Sequence, residues 1–127
     1  MQTRESAKIK SFTDLKAWQS SRVLVKSTYK LVEKFPPSEQ YGLTSQMKRA
    51  SISIASNIAE GFKRDTMRDK IHFYIMAHGS LTELQNQIIL AQDLSFATSA
   101  HSKPLAELSS ETDKLLTGLI RASKERL

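Results

Sequence analysis

The chain has 127 residues, no cysteine, a formal charge of +6 at neutral pH and a pI near 9.7. That length serves one domain with its own core, and the missing thiols exclude disulfides, thiolate zinc sites and cysteine nucleophiles, as suits a reducing cytoplasm. Residues 1–70 carry 14 Lys and Arg against 7 Asp and Glu, while residues 71–127 carry 5 against 6, so polyanion contact would belong to the first half.

Residues 1–11 carry Arg4, Glu5, Lys8 and Lys10 with no apolar run behind them, which predicts a flexible arm rather than a signal peptide or anchor. A first helix is predicted over residues 14–34. Asp14 is its N-cap, Phe12 a staple, and Phe35, Pro36 and Pro37 end it. Leu15, Trp18, Val25, Tyr29 and Val32 form its apolar stripe, with Leu24 and Leu31 widening it. The second helix, residues 44–60, opens on Thr44 and stops at Gly61, where a left-handed turn costs least. Leu43, Met47, Ala50, Ile54 and Ile58 give it one apolar stripe, and Ile52, Ala55 and Ala59 a second.

The third helix, residues 67–94, starts from Thr66 with Asp69 three residues on, an arrangement like a capping box. Its core stripe is Tyr74, Ala77, Leu81, Leu84, Ile88 and Ala91. Ile71, Ile75 and Ile89 lie on another side, and Met76, Leu90 and Leu94 on a third, a distribution that predicts a buried helix. It is not a membrane span, because His72, His78, Gly79, Ser80, Glu83, Gln85, Asn86 and Gln87 interrupt it. A polar connector over Ser95–Lys103 leads to the fourth helix, residues 103–124, with Pro104 in its first turn and Leu105, Leu108, Leu115, Leu116, Leu119 and Ile120 inward. Arg121, Lys124 and Arg126 suit its C-terminal dipole. Short connectors between long helices predict an all-α, up-down-up-down antiparallel four-helix bundle.

These residues carry a family resemblance. Phe12, Asp14, Leu15 and Trp18, the run FPPSEQYGL, and the series Gln46, Arg49, Ala50, Ser53, Ile54, Asn57, Ile58, Ala59, Glu60, Gly61 resemble the 23S rRNA intervening-sequence proteins. Phe73, Ala77, Gly79, Ser80, Glu83 and Leu84 complete the match. The resemblance implies a bundle that assembles as a ring-shaped homopentamer, with no established enzymatic activity. Accessory proteins of diversity-generating retroelements are similar at greater distance, and by that analogy the partners would be nucleic acid and a reverse transcriptase. Two positions depart from the pattern: Ala55 replaces a frequent proline and His78 a basic residue.

Assembly also follows from the residues themselves, since one bundle of this size has too few partners for every apolar side of its second and third helices. Ile52, Ala55, Ala59, Ile71, Ile75 and Ile89 are the candidate interface, with ordinary core as the other reading. The stripe Gln46, Arg49, Ser53, Asn57 and Glu60 is either a solvent face or, with Glu83, a buried network in which Arg49 pairs with Glu83 or Glu60.

Two basic groups offer phosphate contact or plain solvated surface. One is Lys63, Arg64, Arg68 and Lys70 at the connection between the second and third helices, favoured because a helix N-terminus adjoins it. The other is Arg22, Lys26, Lys30 and Lys34, four apart along the first helix. Neither has interleaved aromatics for base stacking. No metal, cofactor or catalytic site is expected: His72 and His78 point apart, His101 lies in a connector, and Ser80 is not aligned with His78. The sequence thus predicts a non-enzymatic homo-oligomeric scaffold that binds RNA or DNA, with a protein adaptor lacking nucleic-acid contact as the alternative.

Overall fold

A computed structural model describes residues 8–127, so the expected arm over residues 1–11 lies mostly outside the described residues. Four helices follow one another, α1 over Lys16–Val32, α2 over Leu43–Phe62, α3 over Met67–Asp93 and α4 over Ser99–Lys124, with no strand among the described residues. Each helix packs on its neighbours in the chain, and α4 packs back on α1 to close the cycle.

The start of α1 differs from expectation. Ser11 rather than Asp14 is the cap, and it opens a 3-10 turn over Phe12–Asp14. The Asp14 carboxylate there accepts from the Lys10 and Ser11 backbone N–H groups at 2.9 and 3.1 Å. Those two bonds hold the carboxyl below its usual range against slight desolvation. Leu15 then precedes α1 with no side-chain cap. Phe12 packs edge-on against Trp18, centroids 5.2 Å apart.

The inward face of α1 is Ala17, Ser21, Leu24, Thr28 and Leu31, with Val32, whereas Tyr29 is exposed and Leu15, Trp18 and Val25 are only partly covered. The stripe moves because small hydroxyl residues occupy core positions. The Ser21 hydroxyl donates to the Trp18 carbonyl and Thr28 to that of Leu24, at 2.7 and 2.8 Å. A hydroxyl satisfied by its own helix costs little to bury. Ser51, Ser109, Thr112 and Ser123 do the same. Small side chains let the helices approach closely, and Ser20 of α1 shares a 2.7 Å hydrogen bond with Thr112 of α4.

At the start of α2, Gly42 rather than Thr44 precedes the helix, and the Glu39 carboxylate accepts from the Leu43 N–H at 3.0 Å. Gly61 is not the left-handed terminator: α2 continues to Phe62 and no glycine has positive φ. Its role is close approach. A Cβ there would lie 2.8 Å from the Tyr74 ring and 2.9 Å from the Phe73 Cβ. Eight residues earlier Ser53 meets Ser80 at 2.9 Å, so α2 and α3 run in opposite directions.

Thr66 caps α3 as expected, accepting from the Asp69 N–H at 3.1 Å. The core stripe from Tyr74 to Ala91 is buried. The far end of α3 closes as a Schellman motif, the Phe96 N–H donating to the Ala91 carbonyl and the Ser95 N–H to that of Gln92, both at 2.9 Å. Ser95 takes φ 62° to permit it, the left-handed position that glycine usually fills.

α4 begins four residues earlier than predicted. Thr98 is its cap, accepting from the His101 N–H at 3.0 Å, so Ser99–Lys103 is helical and Pro104 sits inside the helix. The i−4 carbonyl that proline leaves without an N–H belongs to Ala100, an exposed residue within reach of water. Arg121 and Lys124 occupy the last turn. Phe35 and Phe96 close one end of the bundle, centroids 5.7 Å apart. Leu15, Phe62, Met67, Tyr74, Leu119 and Ala122 line a hollow at the other.

Candidate nucleic-acid and assembly surfaces

The polar stripe of α2 divides in two. Asn57 donates through Nδ2 to the Ser53 carbonyl at 2.9 Å and to its hydroxyl at 3.1 Å, which joins the Ser53–Ser80 contact into one half-buried cluster between α2 and α3. Gln46, Arg49, Glu60 and Glu83 are exposed instead. Arg49 pairs with neither expected carboxylate: among the described residues Arg64 pairs with Glu60 at 3.7 Å, and His78 Nε2 shares a hydrogen bond with Asp113 Oδ1 at 2.9 Å. Arg49 and Glu60 stand eleven residues apart on one helix, roughly 16 Å along its axis. Glu83 accepts from its own helix, from Gln87 Nε2 at 3.3 Å.

The His78–Asp113 pair ties α3 to α4, a contact between helices that no local sequence pattern signals. Thr117 donates to Asp113 Oδ1 at 3.1 Å and Gln85 to Oδ2 at 3.4 Å. Partial burial pushes the Asp113 carboxyl up, but the hydrogen bonds from His78, Thr117 and Gln85 outweigh it and hold the group below the ordinary carboxylate range. Ser80, bonded to Ser53, has no part in this cluster. Among the described residues no three metal-ligating side chains come together, and no helix is long and apolar enough to cross a membrane.

The two basic groups fare differently. At the connection, Arg64 is engaged by Glu60 and lies 4.5 Å over the Phe73 ring. Lys70 donates to the Phe62 carbonyl at the end of α2 and stands over the Phe62 ring. Lys63 and Arg68 are exposed, beside Asp65 and Asp69. α1 ends at Val32, short of the expected residue 34, so Arg22, Lys26 and Lys30 lie on it and Lys34 in the turn that follows; all four are exposed, and Arg22 lies over the Trp18 ring. The last three form one wall of a groove of about 510 Å³ between α1 and α4.

The candidate interface residues also separate. Ile71 is 7% exposed, and with that burial inside its own chain it has no surface for a partner. Ala55 and Ala59 are half-covered, and Ile52, Ile75 and Ile89 are exposed at 44%, 49% and 60%. Met76, Leu90 and Leu94 are exposed as well. The expectation of a helix buried all round is therefore corrected: four helices in a cycle cover one side of α3 and leave the other open. Gly79 lies on that open side, with nothing within 4 Å of the place its Cβ would take. Tyr41, in the connection before α2, is 90% exposed.

Against known proteins, a family model described as 23S rRNA-intervening sequence protein matches residues 13–118, most of α4 included. Comparison with curated proteins gives no match. Among solved structures, the chain is similar to a protein with unknown function from the S23 ribosomal protein family of Bacteroides thetaiotaomicron. The two are 22% identical over 82% of this chain and 97% of that one, with a TM-score of 0.74. That likeness speaks for the fold.

Proposed function

The chain belongs to the 23S rRNA-intervening sequence protein family, and from that premise we propose that it works as a non-enzymatic homo-oligomeric scaffold, up-down-up-down bundles closed into a ring that the family resemblance makes a pentamer. The observation that carries this reading is the open side of α3, where Ile75, Met76, Ile89, Leu90 and Leu94 are exposed together on one helix. Leaving so many large apolar side chains in water is costly at roughly 25 cal/mol per Å². A copy of the same chain is the simplest cover. Gly79 supports it, because a mid-helix glycine sacrifices about 1 kcal/mol relative to alanine and gains nothing from neighbours in its own chain.

Light scattering on the purified chain tests assembly. The expected result is a discrete oligomer that Ile89→Glu with Leu90→Glu converts to a folded monomer with unchanged helical circular dichroism. A wild-type chain that is monomeric at micromolar concentration would overturn the scaffold.

A second reading, nucleic acid held on the basic half, is favoured by the exposed row Arg22, Lys26, Lys30 and Lys34 rather than by the connection, where Arg64 and Lys70 already have partners. Filter binding to structured RNA and duplex DNA over a salt series tests it. Phosphate contact would weaken steeply with salt and would be lost when the four residues are replaced by glutamine. Absence of binding at low salt would exclude it.

A further inference from the structure

The groove between α1 and α4 combines two features that a phosphate-binding surface does not need together. One wall is a rail of three ammonium groups, Lys26 and Lys30 on α1 and Lys34 in the turn just past its end, and its lining otherwise comprises Val23, Ser27, Leu31, Ala100, His101 and Pro104, with no carboxylate. Val23 is 48% exposed although β-branched and apolar, and Ala100 and Pro104 are exposed opposite it. Lysine stems lying along such a floor extend its apolar character while their charges stay in water. Lys26 and Lys30 stand about 6 Å apart along α1, roughly one helical turn, and Lys34 continues the row in the turn that follows.

We propose that this groove docks an acidic amphipathic helix of a partner protein, its apolar face on Val23 and Pro104 and acids spaced by four residues against Lys26, Lys30 and Lys34. The proposal rests on the adaptor side of the scaffold reading. Charge complementarity commits the occupant to an acidic segment, and the apolar floor commits it to a side-chain-bearing helix laid in a groove. A nucleic-acid backbone would use the rail and leave the floor idle, since no row of Phe, Tyr or Trp lines it for successive bases to stack on, His101 being the single ring there. A second copy of this chain is not the occupant, because nowhere in the sequence do three acids follow one another at intervals of four; Glu107 and Glu111 are followed at the next such position by Leu115.

Fluorescence anisotropy on the full chain tests it with three labelled probes: a designed helical peptide with glutamates every fourth position beside a leucine face, the same peptide with serines for leucines, and a uridine oligonucleotide. The amphipathic peptide is expected to bind at least ten-fold more tightly than the serine version. Val23→Ser and Lys30→Glu, both at exposed positions, should each weaken it at least ten-fold while leaving helical circular dichroism unchanged, and Val23→Ser should not alter oligonucleotide binding. No binding of the amphipathic peptide, equal binding of the two peptides, or an oligonucleotide that binds more tightly than either and is lost in Lys30→Glu would overturn the proposal. Light scattering of the same samples keeps the two claims apart, since the groove lies within one chain and peptide binding survives even where the ring fails.

Discussion

Ser95 is held at φ 62° by two hydrogen bonds of the Schellman motif that ends α3. The Cβ of an L-residue crowds the following carbonyl oxygen there, at a cost of about 1–2 kcal/mol that glycine escapes. Ser95→Gly is therefore expected to stabilise the chain by about 1 kcal/mol, read as a higher urea midpoint at unchanged slope; an unchanged or lower midpoint would mean that the strain is not there. Asp113 supplies the pH counterpart. Its carboxyl is lowered in the folded chain, so its contribution is present above the ordinary carboxylate pKa and lost as pH falls through the lowered value. Asp113→Asn should melt below wild type at neutral pH, with the difference shrinking towards pH 3. Parallel melting curves at both pH values would show that His78 and its neighbours add nothing through that charge.

The glycines of α2 and α3 look alike in sequence and act oppositely in place. A methyl added at Gly61 would stand under 3 Å from the Tyr74 ring and the Phe73 Cβ, and it must push two helices apart. Gly61→Ala should cost about 1–3 kcal/mol, as overpacking does. Gly79 faces open space, so Gly79→Ala should raise the stability of a monomeric chain by about 0.5–1 kcal/mol while weakening any assembly packed against it. Thermal melts of both variants, with light scattering for the second, check the pair. Two variants that move in the same direction would remove the distinction.

Legibility followed the same line at this scale. The buried stripes of α2 and α3 were visible because Met47, Ile54, Ile58, Leu81, Leu84 and Ile88 are large and apolar at helical spacing. The stripe of α1 was misplaced because Ser21 and Thr28 read as polar, although each satisfies its hydroxyl on its own helix. The start of α4 is hidden in the sequence because Pro104 reads as a first-turn residue, whereas the cap is Thr98, six residues earlier. Among the candidate surfaces, exposure of Ile75 and Ile89 and burial of Ile71 are facts of tertiary placement, and helical periodicity puts all three on one side of the helix without saying which of them a neighbour covers. The pairing of His78 with Asp113 joins residues 35 apart, a distance no local pattern spans.

In the whole molecule, no helix is central. Each packs on two others and keeps one side to water, which is why a four-helix unit of this kind has faces to spare for a ring, for an acidic partner, or for both. The groove lies between α1 and α4 and the open side of α3 lies elsewhere, so a partner seated on one would not compete for the residues of the other. A double variant that loses assembly, Ile89→Glu with Leu90→Glu, is on this argument still able to bind at the groove.

The hollow shared by Leu15, Phe62, Met67, Leu119 and Ala122 brings the start of α1, the end of α4 and the link between α2 and α3 to the same end of the bundle. The cycle of contacts therefore has no privileged seam. A circularly permuted chain, rejoined by a short glycine-serine linker from behind Lys124 to before Ser11 and cut between Lys63 and Asp65, should keep the parent's helical content and lose roughly 1 kcal/mol of stability, the scale of a changed loop closure. An unfolded permutant would show that the order in which the helices are strung, and not their packing alone, is needed to reach this fold.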